Sequence, residues 1–172
     1  MGAFDNFKAK LLNNKVNKKG TNRKIEILPV DKIHNILIIA NSLENEETIK
    51  NHLLLIFQGA KISTLSTRDQ KIDESNGLRY TFHPADVGLG KIKNERLIGL
   101  VNSNFDLLID FVSEPTELDY FVYKSNSLLK VGDLHSSKNY LYDLLLERGQ
   151  SHSDFIENIK TQLLLLSNNG NN

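Results

Sequence analysis

The chain has 172 residues, 40% of them apolar and 24% charged, as expected of one globular domain able to bury a substantial core. Its formal net charge is zero and it has no cysteine, which removes disulfides, thiolate zinc sites and a cysteine nucleophile together. No apolar run reaches the roughly 18 residues of a membrane span, and a start with Phe4 among lysines lacks a signal peptide's apolar core, so the expectation is a cytoplasmic protein.

Phe4, Phe7, Leu11 and Val16 recur at close to helical spacing, which predicts an amphipathic helix from about Asp5 to Asn17. Residues 1–24 hold seven cations (Lys8, Lys10, Lys15, Lys18, Lys19, Arg23 and Lys24) against Asp5 alone, a local charge of +6. The neutral whole then puts −6 on the other 148 residues. A basic arm on an acidic body is a footprint of nucleic-acid contact. The same charges suit docking onto the acidic body of its own or a neighbouring subunit. Phe4 and Phe7 fall on the inward stripe of the helix, which leaves little aromatic surface to stack bases.

Ile33 to Ala40 is the first predicted strand, continuously apolar in its second half, as in a strand covered on both faces. Asn41 and Ser42 can cap the next helix, where Ile49, Leu53, Ile56 and Phe57 form the buried stripe and Gly59 the stop. Lys61 to Ser66 alternates and is the second strand; residues 67–77 read as a polar loop, and Leu78 to Phe82 as a short strand ended by His83-Pro84. Asn94 to Val101 fits a short helix. Leu107 to Val112 is a strand, Pro115 opens a helix whose Leu118, Phe121 and Val122 face inward, and Ser127 to Val131 is the return strand. Tyr140 to Leu146 reads as strand rather than helix. Ser151 or Ser153 caps the last helix, with Phe155, Ile159, Leu163 and Leu166 as its stripe, before a polar tail.

This alternation predicts a single Rossmann-like three-layer α/β domain with a mainly parallel sheet. The expected division is a basic arm over 1–24, the α/β domain over 25–167 and a disordered tail over 168–172. In such sheets ligands sit beyond the carboxyl ends of the strands. That places candidate ligand contacts at Asn41, Ser42, Asp110, Ser113, Glu114, Gly132 and Asp133.

The recognisable motifs are weak. Ala40-Asn-Ser-Leu-Glu44 lacks the glycines that let backbone approach a pyrophosphate, and Glu44, Glu46 and Glu47 repel phosphate. Gly88-Leu-Gly-Lys91 has Ala85 and Ile92 where a P-loop needs Gly and Ser or Thr, so it reads as a loop. Asp106 and Asp110 share a strand face, which suits a metal or a shared proton, or simply caps and lysine partners. The five histidines show no metal-ligand spacing, and Asp133, His135 and Ser136 lack the nucleophile elbow of a hydrolytic triad. No cofactor or metal is expected.

The order of segments resembles a family of small uncharacterised cytoplasmic proteins of Bacteroidetes. The likeness is carried by the basic N-terminal helix, His83-Pro-Ala-Asp-Val-Gly88, Lys91-Ile-Lys-Asn94, Phe105-Asp-Leu-Leu-Ile109, Ser125 through Lys130-Val-Gly132, Leu141-Tyr-Asp-Leu144 and the closing helix. That resemblance implies an α/β domain and no activity. Phe105 to Gly132 is also similar to one strand-helix-strand in the N-terminal half of heptosyltransferase-like glycosyltransferases. The expected function is a non-catalytic binding or interaction module, whose arm contacts a partner protein or a second copy. The alternatives are an RNA-binding accessory protein, or an enzyme handling a nucleotide or sugar phosphate at the strand ends.

Overall fold

The computed structural model describes residues 23–41, 46–67, 78–88 and 91–169. The predicted N-terminal helix, most of the basic arm, Ser42, the 68–77 loop and the last three residues lie outside them. Six parallel strands form one sheet in the order β3-β2-β1-β6-β7-β8. They are β1 (Asn35–Ala40), β2 (Lys61–Thr67), β3 (Arg79–Phe82), β6 (Asn104–Asp110), β7 (Asn126–Asp133) and β8 (Leu144–Leu146). A two-stranded antiparallel hairpin, β4 (Val87–Gly88) with β5 (Lys91–Ile92), interrupts the path from β3 to β6. The two ends of the P-loop-like stretch, Gly88 and Lys91, pair with each other in this ladder.

The strands are apolar on both faces because both are covered, as a fully parallel sheet requires. The two-residue period sorts their side chains cleanly. Ile36 and Ile38 of β1, with Leu107 and Ile109 of β6, face one core cluster. There α1 (Glu46–Ile56) supplies Ile49 and Leu53, and α4 (His152–Asn169) supplies Phe155, Ile156, Ile159 and Leu163. Leu37 and Ile39 of β1, with Leu108 of β6, face the other cluster, under α2 (Glu95–Asn102) and α3 (Asp119–Lys124). The predicted α/β class and mainly parallel sheet are found.

Local chemistry sets the ends of the elements. Gly59 follows α1 at φ +75°, in the left-handed region that a glycine enters without a Cβ penalty. Asn94 caps α2, its Oδ1 accepting from the backbone of Arg96 (3.0 Å) and Leu97 (3.4 Å). Ser151 caps α4: Asp154 N donates to Ser151 Oγ (3.1 Å) while Ser151 N donates to the Asp154 carboxylate (2.9 Å).

Four boundaries differ from expectation. β6 starts at Asn104 and ends at Asp110, two residues before Val112, because Asp110 turns inward and its carboxylate accepts from Val112 N (2.8 Å). α3 begins at Asp119 rather than near Pro115, since Asp119 and the Thr116 hydroxyl first hold a turn through Thr116 N and Leu118 N. Leu166 is 37% exposed. An 18-residue helix spans about 27 Å and overruns strands of roughly 20–26 Å, so its last turn leaves the sheet.

The fourth concerns the sheet edge. Only Leu144–Leu146 pairs as β8, and Asn139–Leu141 is a 3-10 turn. The lower part of β7 is met instead by the chain following the arm, where Glu26 N donates to Leu128 O (3.1 Å). Two short segments thus divide one strand edge.

Candidate functional site

Strand order reverses between β1 and β6: the chain builds outward from β1 through β2 to β3, then returns beside β1 with β6. Directly beyond the carboxyl ends of these two strands lies a cleft of about 330 Å³. Asn41 follows β1, Ser113 and Glu114 follow β6, Arg148 follows β8, and His152 opens α4; Ile49 and Phe111 supply apolar lining. This is the switch-point geometry in which open α/β sheets hold ligands. A hollow of similar size, about 340 Å³, lies beside α2 and α3 against Tyr120 and Lys124, away from this switch.

The cleft's polar wall is a directed chain. Ser113 Oγ donates to Asp133 Oδ2 (2.9 Å), and Asp133 Oδ1 accepts from His135 N (2.9 Å). Arg148 Nη1 then donates to Ser113 Oγ (3.4 Å), and Nη2 donates to His152 Nε2 (3.0 Å). Burial, with Arg148 beside it, lowers the pKa of His152 below the usual histidine value. The imidazole is thus neutral at pH 7 and able to accept. The backbone oxygen of Ser113 accepts from Ser136 Oγ (2.7 Å), which anchors the loop after β6 to the loop after β7.

A buried ionic cluster ties the end of β6 to the start of α3. Lys138 is 0% exposed, and its ammonium donates to Asp110 (3.0 Å) and Asp119 (2.8 Å). Tyr142 Oη donates to the same Asp110 oxygen (2.7 Å). Burial raises the pKa of Asp110 against the opposing pull of Lys138, and raises Asp119 likewise. Burial and the adjoining Asp110 push Tyr142 far above the ordinary phenol range, so it remains a donor. Of the roles open to Asp106 and Asp110 (a metal, a shared proton, caps or lysine partners), the geometry supplies caps and a lysine partner. Asp110 is held by a lysine, while Asp106, at the other end of β6, accepts from the backbone of His34 (2.7 Å) and Asn35 (2.9 Å). Among the described residues no group of three His, Asp or Glu is placed to hold a metal.

A second buried lysine lies lower on β7. Lys130 is 2% exposed, and its Nζ donates to the carbonyls of Val122 (2.5 Å) and Tyr123 (3.1 Å) at the end of α3. Burial and the neighbouring Arg23 lower its pKa to about 7, against the pull of Asp143. Arg23 itself pairs with Asp143 and donates to Ser127 O (2.6 Å) and Leu128 O (3.1 Å), its side chain only 8% exposed. Lys24 is exposed and pairs with Glu26.

A family of unknown function, DUF6913, matches residues 6–166. The chain belongs to DUF6913. No curated protein and no solved structure matches it. The family match takes in the whole cleft, from Asn41 to His152, and most of the basic arm.

Within this DUF6913 chain, the strand-end candidates separate into three groups. Asn41, Ser113 and Glu114 line the cleft, and Asp133 stands behind Ser113. Gly132 and Asp110 serve the interior: a Cβ on Gly132 would lie 2.4 Å from the Tyr142 ring, and Asp110 is 1% exposed. Ser42 lies outside the described residues, as do Lys8, Lys10, Lys15, Lys18 and Lys19 of the arm. Asp133 meets the backbone of His135 rather than its imidazole, so the sketched Asp-His-Ser triad is not assembled.

Arg148 and His152 went unread in the sequence, although a signal existed. Arg148-Gly149 directly follows a strand and precedes a helix, the same position that singled out Ser113 and Asp133. Lys130 also carries a signal, since a lysine inside Leu128-Leu-Lys-Val131 has apolar neighbours on both sides, whereas Lys138, within Ser136-Ser-Lys-Asn139, carries none. Among the described residues no helix is long and apolar enough to cross a membrane.

Proposed function

We propose that this DUF6913 protein is a cytoplasmic binding module that holds a small molecule in the cleft at the β1/β6 switch point without transforming it. One observation carries this reading: the cleft coincides with the reversal of strand order and is walled by polar side chains from three strand ends. A non-catalytic role is supported by how the wall spends its protons. The Ser113 hydroxyl donates to a carboxylate with no imidazole between them, and the His152 acceptor nitrogen is occupied by Arg148. The same strand ends would serve the alternative, a nucleotide- or sugar-phosphate-handling enzyme. A thermal-shift screen of the full chain against a chemically broad set of neutral, cationic and anionic metabolites tests the reading. Stabilising hits that disappear on Asn41→Trp, which fills the cleft from its exposed rim, are expected. A screen without hits ends the idea.

A second reading rests on the charge asymmetry, +6 on residues 1–24 against −6 on the remainder. The arm then contacts a partner protein, another copy of this chain or RNA. Because Arg23 is tied to Asp143, the contact falls to the lysines before it. Changing Lys8, Lys10, Lys15, Lys18 and Lys19 together to Gln in the full chain separates the cases. Loss of a self-association or pull-down partner supports protein contact. For RNA, affinity should fall with salt at a log–log slope of about −3.5 for five phosphate contacts. Partner and RNA binding both unchanged by the five substitutions would refute an arm contact.

A further inference from the structure

We infer that the switch-point cleft takes a small anion, with one carboxylate or phosphate group seated on the Arg148 guanidinium and hydroxyl or amino donors of the same molecule facing Glu114 and Asn41. This rests on the cleft being a ligand site and names what it selects. Among the described residues Arg148 has no carboxylate partner. Its two contacts, Ser113 Oγ and His152 Nε2, are neutral acceptors.

Both are acceptors by construction. The Ser113 proton is committed to Asp133, so its oxygen can only receive from Arg148. The two bonds orient the guanidinium without neutralising it and leave three of its five N–H donors for a ligand. A planar cation held this way matches the paired oxygens of a carboxylate or phosphate.

The attraction is local to Arg148. The N-terminus of α1 already carries Glu46, which is paired in turn with Lys50 (2.5 Å) and Arg79 (2.9 Å). At about 330 Å³ the cleft lies at the small end of ligand sites, which run from roughly 300 to 1,000 Å³. Glu114 on the rim repels extended polyanions such as triphosphates, while accepting from hydroxyl or amino groups.

The test uses the full chain and thermal shift, with glycerol 1-phosphate, lactate, glycerol, ethanolamine and sodium chloride of matched ionic strength as probes. About 10 mM of the phosphate or the hydroxy acid should raise Tm by roughly 2–6 °C, with glycerol and chloride inert. The stronger of the two identifies the anionic group. Arg148→Gln should abolish the shift, and Asn41→Asp should weaken binding about tenfold by adding a negative charge to the rim. A shift that survives Arg148→Gln overturns the inference. So does a response to glycerol or ethanolamine without one to either anion, which leaves the cleft a ligand site of another class. If Arg148→Gln fails to fold by circular dichroism, Asn41→Asp decides: unchanged anion affinity overturns the inference. Silence toward these probes and the broad screen alike removes the ligand site itself.

Discussion

Lys138 and Lys130 are both almost fully buried, and they meet the cost of burial in opposite ways. Lys138 sets its ammonium against two carboxylates, while Lys130 has only carbonyls on its ammonium and Arg23 nearby. Removing one partner of a buried ion cluster strands the others, so Lys138→Met should destabilise by about 3–5 kcal/mol in urea unfolding. Adding Asp110→Asn removes one stranded charge, so the double variant should be less destabilised than Lys138→Met alone. A double variant that is worse would refute the coupling. For Lys130 the sign follows from its lowered pKa. Below pH 7 both folded and unfolded chains hold the proton, and folding bears the desolvation. Between about 7 and the ordinary 10.5 the unfolded chain binds more protons, so stability rises with pH. The urea midpoint should therefore climb from pH 7 to about 9.5, and Lys130→Met should flatten that climb. An equal slope in both proteins would show that Lys130 is not the titrating group.

At the scale of elements, most strands and helices were legible because apolar period and caps are local signals. β1, β2, β3 and β7 fall where alternation or continuous apolarity places them, and α2 begins at the asparagine that can cap it. That cap does two things: Asn94 Oδ1 satisfies the helix, and Nδ2 donates to Asp86 Oδ1 (3.2 Å) of the preceding 3-10 turn. Asn94→Ala should therefore cost about 1–2 kcal/mol, at the upper end for a cap, whereas Asn94→Ser should recover the cap but not the tie. Equilibrium unfolding of the two variants checks this. The errors lie where a polar side chain chose a distant partner over the local pattern. Asp119 and Asp110 each give one carboxylate oxygen to the local turn that resets the boundary. The other oxygen goes to Lys138, 19 and 28 residues on, which holds them in that turn. β8 is short because Arg23 and Glu26, more than 100 residues earlier, occupy the rest of the β7 edge. No window of neighbouring residues contains that information.

For the whole molecule, β1 and β6 form the centre of the sheet, paired on both sides and covered by both core clusters. Their amides should exchange last, at the free energy of global unfolding. The β4–β5 hairpin, joined by a single two-residue ladder, should exchange early by local opening, and hydrogen-exchange mass spectrometry can rank the two. Hairpin amides protected as long as those of β1 would contradict it. The same topology explains why the strand-end residues divide between cleft and interior. The rule that ligands sit at strand ends picked Asn41, Ser113 and Glu114 on the cleft, with Asp133 behind them, because strand ends are visible in the sequence. It also picked Gly132 and Asp110, because which side of a strand end faces the cleft depends on the strand's neighbours.

By itself the sequence determined the α/β class, the parallel sheet, most elements and the strand ends, since each follows from the spacing of apolar residues and the caps beside them. Only the tertiary structure decided the strand order, and with it the switch point. It also decided that Asp110 belongs to a sealed cluster and that Arg148 and His152 complete the cleft with Ser113. Those outcomes depend on pairing residues tens of positions apart, where the burial of charge, rather than periodicity, selects the partner.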